Sequence, residues 1–238
     1  MKKTVSIFWF RRDLRLHDNH GLYEALKADS AVLPIFIFDT AILDALPKND
    51  ARVEFIHQQL TTINTRLQEH GSGVSLYHGT PETIFDQLTN QYDVNAVYCN
   101  HDYEPYAIAR DQKISDILAS KSIGFKTFKD HVIFEQNEIT KDDGLPYKVY
   151  TPFSKKWLAA FNGGHCDSFA SDNLLSNTCK SADYTWIDLN DMGFEPNSVK
   201  IVPYNVESNI IENYEATRNF PAINGTTKLG PHLRFGTV

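Results

Sequence analysis

The apolar residues of the chain fall into five short runs that are rich in β-branched and aromatic side chains. These runs are Thr4 to Phe10, Ala31 to Phe38, Val74 to Tyr77, Ala96 to Cys99 and Phe125 to Phe128. The first two are almost continuously apolar, which is typical of strands covered on both faces. The pattern therefore predicts five strands of a parallel sheet.

Segments with helical spacing lie between these runs. In Ala51 to His70 the apolar residues form one stripe, and Gly71 follows as a stop signal. The members of the stripe are Val53, Ile56, Leu60, Ile63 and Leu67. Further helices are predicted from Asp18 or Asn19 to Ala28, from Thr80 to Asn90 and from Pro105 to Ser122. Strands that alternate with helices predict a doubly wound, Rossmann-like α/β domain over residues 1–130.

The alternation stops after Asp130, and residues 131–208 are predicted to form an interdomain linker. The linker includes a short amphipathic helix near Phe153 to Phe161. From Asn162 to about Val206 the chain is rich in Gly, Ser, Asn, Asp and Pro, with little periodicity. This composition indicates a long connection between domains.

Residues 209–238 form the third predicted segment. One helix is expected near Asn209 to Arg218, and a second begins near Thr227 with no stop signal before Val238. Short isolated helices are marginal in water. We therefore expect the second helix to end before it can pack, and its first turn to be poorly organised.

The net charge of -7 limits the partners that this chain can bind by itself. Phosphate neutralisation carries most non-specific nucleic-acid affinity, so an acidic chain is not expected to be a main DNA surface. The apolar stretch Val5 to Phe10 is too short for a signal peptide, and the cytoplasm is the expected compartment. Three cysteines, Cys99, Cys166 and Cys179, lack metal-ligand spacing, and no metal site is predicted.

Polar side chains follow three of the predicted strands. Arg11 to Asn19 (R-R-D-L-R-L-H-D-N) follows the first strand, Asp39 the second, and Asn100 to Tyr106 (N-H-D-Y-E-P-Y) the fourth. The carboxyl ends of parallel strands share one edge, where open α/β sheets bind ligands. The loops could hold a polar ring by hydrogen bonding and stacking. Alternatively, their charges form an ion-pair network that only shapes the loops.

A glycine-flanked, hydroxyl-rich turn from Gly225 to Gly230 precedes the last predicted helix. Its backbone N–H groups and hydroxyls could cradle phosphate, or its threonines could simply cap the helix. No glycine-rich turn follows the first strand, which argues against a dinucleotide dehydrogenase.

Three segments in this order resemble the photolyase and cryptochrome family. Trp9 to Asn19 resembles the family's opening motif, and Tyr147 to Trp157 is similar to its segment before the interdomain linker. Arg218 to Gly236 (R-N-F-P-A-I-N-G-T-T-K-L-G-P-H-L-R-F-G) resembles the start of its flavin site. The resemblance extends over essentially the whole chain. It implies that residues 209–238 are the truncated beginning of an all-α FAD-binding domain.

The resemblance implies a light-driven enzyme that splits cyclobutane pyrimidine dimers by electron transfer from reduced FAD. Tyr214 matches the family's tyrosine near the FAD phosphates. The residues that match its phosphate-binding run are Thr226, Thr227, Lys228, Leu229 and Gly230. Gly230 stands where a serine is often found. No catalytic residue of the family is expected within this chain, and damaged DNA is expected to bind through the family's C-terminal domain.

The family's α/β domain also implies an antenna chromophore. Members that hold a folate carry a glutamate at the position of Ala107, whereas the E-P-Y segment starting at Glu104 is more similar to members with a deazaflavin or flavin antenna. Arg11, Asp39, Asp102 and Glu104 are the antenna candidates. The alternatives are a cryptochrome-type light receptor and a plain nucleotide-binding module, and a monomer is expected.

Overall fold

The computed structural model describes residues 2–161, 166–180 and 184–238. Five strands form one parallel sheet in the order β3-β2-β1-β4-β5. Their bounds are β1 Thr4–Phe10, β2 Val32–Asp39, β3 Ser75–Gly79, β4 Asp93–Asn100 and β5 Gly124–Phe128. Strands β2 and β3 lie on one side of β1, and the chain then returns to place β4 and β5 on the other side. The strand order therefore reverses between β1 and β4, as in a doubly wound fold. The predicted parallel α/β sheet is confirmed.

Helices cover both faces of this sheet. The helices of the described residues are α1 His20–Leu26, α2 Thr40–Leu43, α3 Ala51–Gln68, α4 Pro81–Gln91, α5 Pro105–Ser120, α6 Tyr150–Phe161, α7 Ser208–Glu212, α8 Tyr214–Thr217 and α9 Leu229–Phe235. Helices α1 and α3 pack on one face, and α4 and α5 pack on the other. Local sequence sets several starts: the Asn19 side chain accepts from the Leu22 N–H, and the Thr80 hydroxyl accepts from the Thr83 N–H. Gly71, with φ of 69°, ends the turn after α3.

Burial of β1 on both faces explains its continuous apolar sequence. Phe8 and Phe10 belong to one core with α1 and α3. Ile7 and Trp9 belong to the core on the opposite face with α4 and α5. Successive side chains of a strand point to opposite faces, so a central strand needs apolar residues at every position.

Much of the predicted linker is packed on the α/β domain. Leu175, Met192 and Phe194 are buried in the same core as Phe8. The Leu76 N–H donates to the Thr185 carbonyl at 2.7 Å, which adds a backbone contact beside β3. The predicted connection therefore packs against the domain over this stretch, because its turns and extended backbone bury apolar side chains without any period. Two parts of that prediction, 162–165 and 181–183, lie outside the described residues.

The third segment differs from its prediction in two ways. The expected single helix from Asn209 to Arg218 is two short helices, α7 and α8, separated at Asn213. The last helix, α9, has a stop signal: Gly236 has φ of 61° and donates its N–H to the His232 carbonyl. Phe235 is buried, with its ring 5.6 Å from that of Phe55 on α3. The expectation that this helix does not pack is also wrong.

Replacement of Phe194 by Ala tests whether the segment after α6 is part of the folded core. Phe194 is 2% exposed, and removing a buried aromatic side chain costs roughly 3–5 kcal/mol. Val199→Ala is the control, because Val199 is 65% exposed and should change stability by less than about 0.5 kcal/mol. Urea denaturation followed by circular dichroism measures both. Equal, small effects would mean that this segment does not contribute to stability.

Candidate ligand-binding site

The loops after β1, β2 and β4 surround a cavity of about 400 Å³ at the carboxyl edge of the sheet. All four antenna candidates line it: Arg11, Asp39, Asp102 and Glu104. The cavity adjoins the switch between β1 and β4, where open α/β sheets place their ligands. The structure therefore brings together the residues that the sequence placed at three separate strand ends.

The walls of the cavity are largely aromatic and aliphatic. They are formed by Trp9, Phe10, Phe36, Ile37, Phe38, Ile42, Leu43, Leu46, Val53, Ile56, Ala107 and Phe235. Aromatic walls with a few polar groups are typical of sites for flat heterocycles. The volume also lies within the range of roughly 300–1,000 Å³ that is common for small-molecule sites.

Arg11 is buried, and its guanidinium is held by protein groups. Its Nη1 donates to Asp111 Oδ1 at 2.6 Å, and its Nη2 donates to the Asn100 carbonyl. Arg110 Nη2 donates to the same Asp111 oxygen at 2.9 Å. The guanidinium carbons of Arg11 and Arg110 lie 5.1 and 4.8 Å from the centroid of the Trp9 ring. The ion-pair hypothesis thus describes Arg11 well, and its side chain shapes the cavity wall.

A chain of ion pairs borders the cavity mouth. Arg12 Nη1 donates to Asp102 Oδ1 at 3.3 Å and to Glu104 Oε1 at 3.1 Å. Arg234 Nη1 lies 2.7 Å from the same Glu104 oxygen. Because these groups are partly exposed, each pair contributes little to stability on its own. Their main effect is to fix the loop after β4 against the loop after β1.

Asp39 lies at the end of β2 and has neutral partners. Its Oδ1 accepts from the Ala41 N–H at 3.0 Å, which caps α2, and its Oδ2 accepts from the Tyr106 hydroxyl at 2.5 Å. Burial and the hydrogen bond to Asp39 raise the pKa of Tyr106. The phenol therefore stays protonated at neutral pH and acts as the donor.

The contribution of α9 to this cavity has no counterpart among the sequence predictions. Arg234 and Phe235 line the cavity. The Leu14 N–H donates to the Phe235 carbonyl at 3.0 Å, and Arg12 Nε donates to the Arg234 carbonyl at 3.3 Å. Residues more than two hundred positions away from β1 thus close the site, and no local pattern indicates such a contact.

The predicted phosphate-binding residues, from Tyr214 and from Thr226 to Gly230, do not line the cavity. Tyr214 is about half exposed. The Thr217 hydroxyl donates to the Gly225 carbonyl at 3.1 Å, which ties α8 to the start of the run. Lys228 has φ of 59°, so α9 begins only at Leu229. The structure thus places this run apart from the cavity, on more exposed backbone.

Membrane spans and metal clusters are both missing from residues 2–161, 166–180 and 184–238. None of the helices in these ranges has the length and apolar character needed to cross a membrane. In the same ranges, no three His, Cys, Asp or Glu side chains are grouped so that they could hold a metal ion.

Comparisons with known proteins agree with this architecture. A family model described as DNA photolyase matches residues 6–172. A deoxyribodipyrimidine photo-lyase of Synechococcus is 32% identical over 98% of this chain and 51% of the relative. The chain spans about half the length of the curated photolyases it matches.

Two solved structures share the fold. One is an archaeal photolyase from Sulfolobus tokodaii, described as having two FAD molecules that imply a novel light-harvesting cofactor. Its TM-score is 0.68, and it is 25% identical over 98% of this chain and 52% of the other. The other is a Synechocystis cryptochrome, with a TM-score of 0.77 and 17% identity over 100% of this chain and 54% of the other.

Replacement of Gly236 by Ala tests whether α9 closes the cavity. A Cβ at Gly236 would collide with the Arg12 carbonyl and the Asp13 backbone, and its positive φ disfavours alanine. We expect α9 to separate from the loop after β1, with faster hydrogen exchange at the Leu14 and Thr237 amides. Gly230→Ala is the control, because its Cβ would meet no atom within 4 Å. Unchanged exchange in Gly236→Ala would contradict closure of the cavity by α9.

Proposed function

This chain belongs to the DNA photolyase family, and we propose that it forms the chromophore-binding α/β part of a light-driven DNA repair enzyme, a deoxyribodipyrimidine photolyase. The observation that carries the proposal is the cavity at the carboxyl edge of the sheet, which collects Arg11, Asp39, Asp102 and Glu104 around aromatic walls. A relative that is 32% identical bears the same enzyme name.

The residues of the cavity fit a flavin or deazaflavin antenna. Its volume and aromatic lining suit a flat fused ring, and the Asp39–Tyr106 pair offers hydrogen-bond acceptors. Ala107 supplies no carboxylate at the position where folate-binding members carry glutamate. The Sulfolobus tokodaii photolyase, described with two FAD molecules, is consistent with a flavin in this role.

Each part of the cavity has a distinct task in the proposed site. Trp9 and the phenylalanines pack against the ring and exclude water, which would otherwise compete for its polar groups. Asp39 and Tyr106 orient the ring, while Asp102 and Glu104 lie at the mouth. The bound chromophore supplies light absorption, and the protein determines its position.

The proposal assigns the FAD phosphates to the run that precedes α9. The contributing residues would be Tyr214, Thr226, Thr227, Lys228, Leu229 and Gly230. The hydroxyls of two adjacent threonines and the Lys228 ammonium are suited to phosphate oxygens. The bond between Thr217 and Gly225 supports a common site, because it joins the helix of Tyr214 to this run. In the intact enzyme, reduced FAD would supply the electron that splits the dimer.

Repair is preferred to signalling as the proposed activity. The Synechocystis cryptochrome is only 17% identical, so its similarity is evidence for the fold alone. The Synechococcus relative, which is 32% identical, is a photo-lyase. An assay of dimer repair tests the choice between repair and signalling. It measures the light-dependent loss of cyclobutane dimers from irradiated DNA in the presence of the product of the gene that encodes this chain. Dimers that persist under illumination of the flavin-loaded protein would contradict repair.

Filling the cavity should abolish flavin binding. Ile56 lines the cavity from α3, and an indole at this position would occupy the space of the ring. We expect Ile56→Trp to weaken riboflavin binding by roughly tenfold or more, measured by quenching of riboflavin fluorescence. Thr65→Trp on the exposed side of α3 is the matched control. Lys228→Ala should also leave riboflavin affinity unchanged, and loss of binding in Lys228→Ala would place the flavin elsewhere.

DNA should bind this chain only weakly. The net charge is -7, so few counterions are released when the chain meets a phosphate backbone. The proposal therefore assigns DNA contacts to polypeptide outside these residues. Filter binding at low salt, with and without dimers in the DNA, measures the affinity. Tight binding that falls steeply with salt would show that this chain carries a DNA surface of its own.

A further inference from the structure

We infer that Arg110 and Arg11 preserve the excited state of the chromophore in the cavity by making the Trp9 ring difficult to oxidise. This inference rests on the proposed flavin-type ligand and goes further, because it assigns the two arginines a photochemical role. An indole ring in contact with an excited flavin can reduce it by one electron and become oxidised itself. The same electron then returns, so nothing is consumed, but the excitation is lost as heat before an antenna can pass it on.

Trp9 is the ring that could quench a bound chromophore in this way. It lies near the end of β1, lines the cavity and is 2% exposed. The Phe85 ring packs against it in an edge-on arrangement, with the two ring centroids 5.1 Å apart. Burial already opposes oxidation of the indole, because little water is present to solvate a cationic ring. Any charge fixed beside the ring adds to or offsets this effect.

Two positive charges lie beside the Trp9 ring. The guanidinium carbons of Arg110 and Arg11 are 4.8 and 5.1 Å from the ring centroid. At such distances a cation attracts the electron-rich face of the neutral indole. Removal of an electron would replace this attraction by repulsion between like charges, which is strong in a buried site. The two arginines therefore stabilise the neutral ring relative to the oxidised ring.

Neighbouring groups fix these charges without cancelling them. Arg11 Nη1 and Arg110 Nη2 donate to the same Oδ1 atom of Asp111, at 2.6 and 2.9 Å, so the three side chains together keep a net positive charge. Asp13, another acid near Arg11, accepts from the backbone N–H of that residue. Burial raises the pKa of the Cys99 thiol to about 12, so this neighbour of Arg11 stays neutral at neutral pH.

Neutralisation of Asp111 does not require both arginines. Arg11 Nη1 already bonds to both carboxylate oxygens of Asp111. The Arg110 side chain is only 8% exposed, and burying a second guanidinium at a carboxylate that already has a partner is costly. Its position beside Trp9 gives this buried charge a use. Since Asp111 remains paired with Arg11 when Arg110 is changed, Arg110 can be replaced without leaving a carboxylate unpaired.

The test measures the fluorescence lifetime of riboflavin bound to an excess of protein. Arg110→Gln removes the charge but keeps a donor for Asp111, and it should shorten the lifetime by about threefold or more, the order expected when one cation–π contact is lost. Arg110→Lys keeps a cation near Trp9 and should restore a lifetime close to that of the native chain. Unfolding midpoints from circular dichroism confirm that each variant is folded.

Replacement of Trp9 identifies the ring through which the charge acts, because a phenyl ring is much harder to oxidise than an indole. Trp9→Phe alone should have a nearly native lifetime, since the arginines already protect Trp9 in the native chain. The double variant Trp9→Phe/Arg110→Gln should then equal Trp9→Phe. Tyr106 is a second oxidisable ring on the cavity wall, 5.9 Å from the Arg110 guanidinium. Arg110→Gln should still shorten the lifetime when Tyr106 is replaced by Phe.

Each outcome decides the question. A shorter lifetime in Arg110→Gln that disappears in the Trp9→Phe background supports the inference. An unchanged lifetime in Arg110→Gln, or a shortening that persists without Trp9, overturns it while leaving a flavin site in place. A lifetime several times longer in Trp9→Phe alone also overturns it, because the native arginines would then not protect the ring. Absence of riboflavin binding to the native chain overturns the proposed function and, with it, this inference.

Discussion

The buried carboxylate of Asp13 holds the carboxyl edge of the sheet together, and the cavity depends on it. Asp13 is 1% exposed. Its Oδ1 accepts from the Arg11 N–H at 2.7 Å, and its Oδ2 accepts from Asn100 Nδ2 at 2.6 Å. Its own carbonyl accepts from Asn19 Nδ2 at 3.2 Å. One residue thus joins the end of β1, the end of β4 and the start of α1, which a buried acid can do only when donors surround it.

This network also determines what can approach the loop after β1. Asn100 Oδ1 accepts from the Gly21 N–H at 2.8 Å, so α1 lies close to the end of β4, and a Cβ at Gly21 would lie 2.7 Å from that oxygen. On the other side of the loop, Leu14 bonds to Phe235. Because Asp13 fixes the loop after β1, α1 can pack on one side of that loop and α9 on the other.

The sequence predicted those features that follow from local rules. Continuous apolar runs located the strands, and Asn19 and Thr80 located helix starts through their capping bonds. Because parallel strands share a carboxyl edge, the order of strands and loops along the chain was enough to predict that the antenna candidates lie together. The roles of Phe194 and Phe235 could not be predicted in this way. Each packs against residues far away in the sequence, from a segment without a hydrophobic period.

The arginine-rich motif after β1 shows why residue type alone is a weak guide to recognition. Three arginines in five positions could hold a polar ligand, yet Arg11, Arg12 and Arg15 are each paired with a carboxylate of the protein. Their charges are used to hold loops together, because desolvating a guanidinium is tolerable only with a fixed partner. Asp39 at the end of β2 is bonded differently, because its carboxylate accepts from the Ala41 N–H and the Tyr106 hydroxyl and pairs with none of these three arginines.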